Sequence, residues 1–259
     1  MTSPSVVIAG RTALTDRLEP LIERAGYLIV HYDQPAGYVA RLADDQPALI
    51  VAGMEGEWTF WVTTPRVSPA TRRIPVVAAA ADAGSAREAL AAGASFAITP
   101  DEVETRLPGI LRDHARRMDV STAEQLAADC EGSLPEDARE AIRKFNAGDY
   151  YHQHDLLEAL WMREPGPARN LYQAILQVGI AYFQVTRGNK VGAHKMILRA
   201  QQWLAVLPDV CQGVDVARLK ADAMAVRAAI EGSRDDDLGD FDRTLLRPVV
   251  MADKSIAPE

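Results

Sequence analysis

The chain has 259 residues, 48% of them hydrophobic, with a formal net charge of −8 and a pI near 5.2. That is enough chain for two modest domains, each with its own core, while the acidic balance argues against a nucleic-acid surface, which needs a concentrated basic face. No run approaches the roughly 20 apolar residues of a membrane span, and the N-terminus lacks a basic stretch followed by an apolar one. Neither a nucleic acid nor a membrane is therefore expected as a partner, and the cytoplasm is the expected compartment.

Residues 5 to 117 alternate short apolar runs with amphipathic windows: SVVIAG, a helix near Leu14 to Ala25, YLIVHY, a helix near Gly37 to Ala43, then ALIVAG, IPVVAAA and FAIT, closed by a helix from Glu102 to Arg117. Five strands alternating with helices predict a doubly wound α/β domain over residues 1–117, with a parallel sheet covered on both faces. The runs QPALIVAG, RRIPVVAAAA and ALAAGASFAITP resemble the response-regulator receiver family, of flavodoxin-like fold, over nearly this whole segment. In that family the sheet order is 2-1-3-4-5 and the chemistry sits at the C-terminal strand ends.

Those strand ends depart from the receiver pattern. Gly10 and Arg11 stand where receivers carry their Mg²⁺-holding acids, and Gly53 stands at the phospho-acceptor aspartate. Ala80 replaces the Thr or Ser after the fourth strand, and Thr99, before Pro100, replaces the lysine. Without the carboxylates there is neither a Mg²⁺ site nor a nucleophile, so no phosphorylation is expected and the domain reads as a pseudo-receiver. The segment EGEWTFW after the third strand admits two readings: Trp58 and Trp61 fill the hollow of the missing acid site, or they form an exposed patch for a partner.

Residues 118–132 lose periodicity and gain small polar residues, and read as a linker with room for a helical turn. Cys130 and Cys211 have no short metal spacing and read as free thiols. Ser133 and Glu136 form a capping-box pattern around Pro135, opening a helix to Asn146. Asp149 caps a helix to about Arg163, EPGP breaks the chain, and long helices follow from Ala168 to Arg187, Lys190 to Val206 and Val214 to Ile230. An all-α bundle of about five helices is thus expected over 133–232, and an acidic tail over 233–259 that either packs through Leu245 and Leu246 or frays.

Helical spacing places His154, Glu158 and Trp161 on one face, flanked by Tyr150, Tyr151, Leu157, Leu160 and Met162, which predicts a polar pair inside the buried stripe. His152 falls on the opposite, solvated side. On the long helix Gln173, Gln177 and Gln184 share an arc of about 40° on an otherwise apolar wheel. FNAGDYYHQHDLLEALW, followed by LYQAILQVGIAYFQVTRGNKVGA, resembles a bacterial and archaeal family called domain of unknown function 309. Its hallmarks correspond to Phe145 and Asn146, to His154, Glu158 and Trp161, to Gln173 and Gln177, and to Gly188, Asn189, Gly192 and Ala193. The match covers about residues 136 to 206, and Gln184 stands where many members have histidine. What the resemblance implies for function is metal binding at the motif.

A divalent metal such as Zn, Fe or Mn would take His154 and Glu158, one turn apart, with His194 as the third candidate ligand and the amides of Gln173 or Gln177 as poor alternatives. The competing reading is a buried polar network of the same pair with Trp161, Gln173 or Gln177, or the backbone near Asn146. Arg187 and Asn189 are positioned to meet an anionic group, although a helix C-terminus favours Arg187 without any ligand. Two classes of function remain. In the first, a non-phosphorylatable receiver-like module is tethered to a helical module that binds a protein partner or a second copy. In the second, the helical domain is a small enzyme, metal sensor or small-molecule binder centred on His154 and Glu158.

Overall fold

The computed structural model describes residues 4–252. The chain forms two compact units, Met1–Arg117 and Met118–Glu259.

The first unit is an α/β layer structure. Its strands are β1 (Ser5–Ala9), β2 (Leu28–Tyr32), β3 (Leu49–Gly53), β4 (Val76–Ala79) and β5 (Phe96–Ile98), all parallel, in the order β2-β1-β3-β4-β5. Helices α1 (Ala13–Arg24), α2 (Tyr38–Asp45), α3 (Trp58–Val67), α4 (Ala83–Ala92) and α5 (Val103–Asp113) connect and follow them. The two-residue alternation of a strand divides β1 between two cores. Val6 and Ile8 join Leu18, Ile22, Leu107 and Leu111 on one face, and Val7 and Ala9 join Tyr38, Leu42, Trp61 and Val62 on the other. Burial on both sides is why β3 reads as an unbroken apolar run; all five of its residues are buried.

The second unit is helical: α6 (Val120–Glu131), α7 (Glu136–Asn146), α8 (Tyr150–Arg163), α9 (Arg169–Thr186), α10 (Lys190–Leu204) and α11 (Val216–Gly232). A short antiparallel hairpin, β6 (Val210–Cys211) and β7 (Val214–Asp215), precedes α11. Helix α9 packs between α8 and α10, and its buried residues span almost the whole circumference, from Leu171 through Val185. Full burial of such side chains contributes about 1.5–3 kcal/mol each.

Three expectations change. Residues 118–132 are not a linker: Asp119 caps α6 by accepting from the Thr122 N–H at 2.8 Å, and Leu126 and Cys130, one turn apart, are buried in the helical core. The small residues between them mute the periodicity that would have announced a helix. Cys130 and Cys211 are not free thiols but form a disulfide across 81 residues, with Cα atoms 4.2 Å apart. Their distance along the chain hid a contact that only the packing of α6 on β6 creates. The C-terminal segment does pack as far as it is described: Leu238, Phe241 and Val249 are buried and Leu245 and Leu246 lie against the same core. The rest of the expected tail, residues 253–259, lies outside the described residues. At the start of α7, Pro135 occupies the cap position without a side-chain bond, so the Ser133–Glu136 capping box does not form.

Candidate functional site

Two places were legible as candidate sites, the strand ends of the first unit and the polar face of α8. At the strand ends the backbones of β1 and β3 approach so closely that a Cβ at Gly53 would lie 2.0 Å from the Gly10 carbonyl oxygen and 2.7 Å from Thr12 Cγ2. Gly10 itself has a φ of 70°, in the left-handed region, and a Cβ there would meet the Trp61 indole nitrogen at 2.9 Å. The indole occupies this hollow. Trp61 is buried, packs edge-on against Tyr38 at 4.9 Å and receives the Tyr38 hydroxyl on its carbonyl at 3.2 Å, while Trp58 lies half-buried against the same cluster. Arg11 pairs with Asp16 at 3.0 Å, and the Thr99 backbone N–H and hydroxyl both donate to the Glu102 carboxylate, capping the turn into α5. Gly10, Arg11, Gly53 and Thr99 thus each have a steric or bonding role in holding the turn.

On α8 the buried stripe is Tyr150, Gln153, Leu157 and Leu160. His154, Glu158 and Trp161 are half-buried at its edge, so the polar pair does not sit inside the stripe as helical spacing predicted. The wheel is turned because α7 and α9 together claim the neighbouring residues: Tyr150 packs on Phe145 and Tyr182, and Gln153 lies directly over Gly179, where a Cβ would meet the Gln153 side-chain nitrogen at 2.4 Å. Gln153 was missed in the sequence because a glutamine between two histidines carries no apolar signal; the facing glycine on α9 was its only trace.

His154 has one polar neighbour, Asp155, at 3.4 Å, and Glu158 makes no hydrogen bond or ion pair with another described residue. Tyr151, His154, Glu158 and Trp161, spaced i, i+3, i+7 and i+10, share a face. Two contacts fix what lies beside it on α9: the Arg169 guanidinium sits 5.1 Å over the Trp161 ring, and Tyr151 lies 6.1 Å from Phe183. The helical spacing of Arg169, Leu176, Ile180 and Phe183 then runs alongside His154 and Glu158. Tyr151 and Met162 on this surface are exposed. His152 is exposed as predicted and bonds the cap residue Asp149 at 2.7 Å, a bond that holds the Asp149 carboxyl below its usual range.

The remaining candidates are elsewhere or otherwise engaged. His194 does not join His154 and Glu158; its Nε2 meets Glu231 of α11 at 2.9 Å, and the same carboxylate oxygen accepts from Arg227 Nε at 2.8 Å. Partial burial pushes the Glu231 carboxyl up, but these two bonds outweigh it and hold it below the usual value. Among the described residues no group of three or more His, Cys, Asp or Glu side chains is placed to hold a metal ion, so His154 and Glu158 are joined by no third ligand of these types. Gln173 and Gln177 are buried, and their Oε1 atoms lack hydrogen-bond partners among the described residues. Asn189 caps α10, accepting from the Gly192 N–H at 2.9 Å and donating to Gln184 Oε1 at 2.7 Å, while Arg187 is exposed. Asn146 binds the C-terminal segment twice, donating to the Val249 carbonyl at 3.0 Å and accepting from its N–H at 2.8 Å. No helix among the described residues is long and apolar enough to cross a membrane.

The motif therefore separates into two parts. Phe145 packs in the core, Asn146 ties down the C-terminal segment, Asn189 and Gly192 form the cap of α10, and Gly188, at a φ of 68°, approaches the Asp237 carbonyl too closely for a Cβ. Among the described residues His154 has one polar contact, to Asp155, and Glu158 has none.

Comparison with known proteins follows the same segment. Residues 138–196 match the family model described as "Domain of unknown function (DUF309)". An uncharacterized protein of Aquifex aeolicus (strain VF5) is 25% identical over 84 residues, which is 32% of this chain and 25% of that protein, so the chain spans about a quarter of the relative's length.

Proposed function

We propose that the protein is a regulatory or interaction protein in which a receiver-like module without phosphorylation chemistry is joined to a helical module that docks a protein partner or a second copy through the α8 face. The observation that carries the reading is the pair His154 and Glu158: within a motif whose other parts hold the fold, these two are half-exposed and bonded to almost nothing, beside the exposed Tyr151 and Met162. Aromatic side chains with an unsatisfied polar pair among them are the composition of a contact surface, where Trp and Tyr supply area and the polar groups supply register. The strand ends support the other half of the proposal, because a phospho-acceptor side chain has no room at position 53. The compartment that goes with this reading is the cytoplasm.

The test is twofold. Acetyl phosphate is expected to leave the protein unlabelled, and a stable aspartyl phosphate would end the pseudo-receiver reading. Cross-linking from position 151 or 162 is expected to capture a defined partner or a second copy, and to lose it in His154→Ala and Glu158→Ala; capture that survives both substitutions would remove the α8 face from the reading.

A second reading is a small-molecule site at the same pair, or at the buried Gln173 and Gln177 of α9, whose acceptor oxygens lack partners among the described residues although buried polar atoms are as a rule hydrogen-bonded. Elemental analysis of untagged protein purified without chelator addresses its metal version. The two-ligand geometry predicts no stoichiometric Zn, Fe or Mn, and metal that disappears in His154→Ala would reinstate a metal centre.

A further inference from the structure

The disulfide between α6 and β6 opens onto a groove of about 780 Å³. Cys130 lines this groove and Cys211 does not; Cys211 is completely buried, whereas Cys130 retains 7% exposure. Of the two half-cystines, Cys130 is therefore the one that faces a reagent entering from the groove. The groove's walls are mainly apolar, with Leu134 and Val210 among them, and carry one cation, Arg139, and one anion, Glu131. Arg139 is half-exposed and its nearest acid is Glu136 at 3.8 Å, too long for a hydrogen bond, which leaves its donors available. Around the bridge, the Gln212 N–H donates to the Cys130 carbonyl at 2.7 Å, the Tyr172 hydroxyl donates to Gln212 Oε1 at 2.9 Å and the Ala168 N–H donates to Asp129 Oδ2 at 3.4 Å, so the end of α6 stays anchored when the sulfurs part.

We infer that Cys130 is a thiol–disulfide exchange site and that the groove admits a small zwitterionic aminothiol, whose carboxylate meets Arg139 and whose ammonium meets Glu131. The thiolate of the incoming molecule attacks Cys130 Sγ. A new S–S bond forms there, the Cys130–Cys211 bond breaks, and its electron pair leaves on Cys211 Sγ, which takes a proton and stays buried as a neutral thiol, a state compatible with its apolar surroundings. A second thiolate then attacks the small molecule's sulfur in the mixed disulfide, releasing Cys130 to be protonated. In sum, two aminothiols are oxidised to their disulfide and the protein's disulfide is reduced to two thiols. The volume of the groove leaves space for the mixed disulfide on Cys130, which makes this residue a modification site as well as an exchange site.

The test treats the full native chain with L-cysteine, quenches with acid, alkylates free thiols and maps the products by peptide mass. The expected result is cysteine attached to Cys130 with the alkyl group on Cys211, formed faster than with neutral 2-mercaptoethanol once thiolate fractions are equalised. Arg139→Gln and Glu131→Gln, both surface changes, should each lower that preference by about two- to fivefold, the worth of an exposed ion pair. Thiols found free in protein isolated under a blocking reagent, opening only in denaturant, an adduct on Cys211, or a preference unchanged in both variants would each overturn the inference.

Discussion

The strand ends of the first unit and the α8 face of the second are both places where the sequence departs from, or adds to, what a plain fold requires, and they resolve in opposite ways. At the strand ends the departures are absorbed by structure: Gly53 and Gly10 let two backbones meet, Trp61 covers the hollow, and Thr99 caps a turn. On α8 the half-buried polar pair makes only one contact of this kind among the described residues, from His154 to Asp155. A residue type that is unusual for its element is therefore informative about function only after its structural uses have been exhausted, and His154 and Glu158 pass that test where the glycines of the first unit do not.

Substitutions break or sharpen this contrast, beginning with the largest effect. Phe145→Ala removes a buried ring packed on Tyr150 and Tyr182, and the structural half of the motif predicts a loss of about 3–5 kcal/mol in urea unfolding. Gly53→Asp forces a side chain against the Gly10 carbonyl, with an expected loss on the order of 3 kcal/mol and still no labelling by acetyl phosphate; a stable variant that takes up phosphate would show that the strand ends are only chemically, not sterically, closed. Asn146→Ala leaves the Val249 backbone without its two partners and should cost about 1–3 kcal/mol, with faster hydrogen exchange at Val249. Smallest of all, His154→Ala and Glu158→Ala should each change stability by no more than about 0.5 kcal/mol, as substitutions outside the packed core do, while abolishing partner capture. If they unfold the protein instead, the pair belongs to the packing and the contrast collapses.

Much of this was readable from the chain itself, and the gaps have physical causes. The five apolar runs of the first unit appear as the five strands, because burial on both faces writes a continuous signature. The Asp149 cap and the glycine at 188 end and begin helices where turn chemistry placed them, Gly188 at a φ of 68°. Helix α6 was hidden because alanine, serine and threonine form helices without an amphipathic stripe, and the hairpin at 210–215 because two-residue strands have no period to detect. For α8, spacing placed His154, Glu158 and Trp161 together correctly but misjudged by part of a turn which side of them would be covered.

Local chemistry alone determined the parallel sheet, the helical second unit apart from α6 and the hairpin, and the grouping of His154 with Glu158, since each follows from side-chain periodicity and turn residues. Tertiary structure alone decided the rest: that Cys130 meets Cys211, that His194 turns to Glu231, that Trp61 goes under Gly10 and that the polar pair of α8 stays at the surface. Those outcomes depend on which faces of distant elements come into contact, and a one-dimensional pattern carries the faces without their partners.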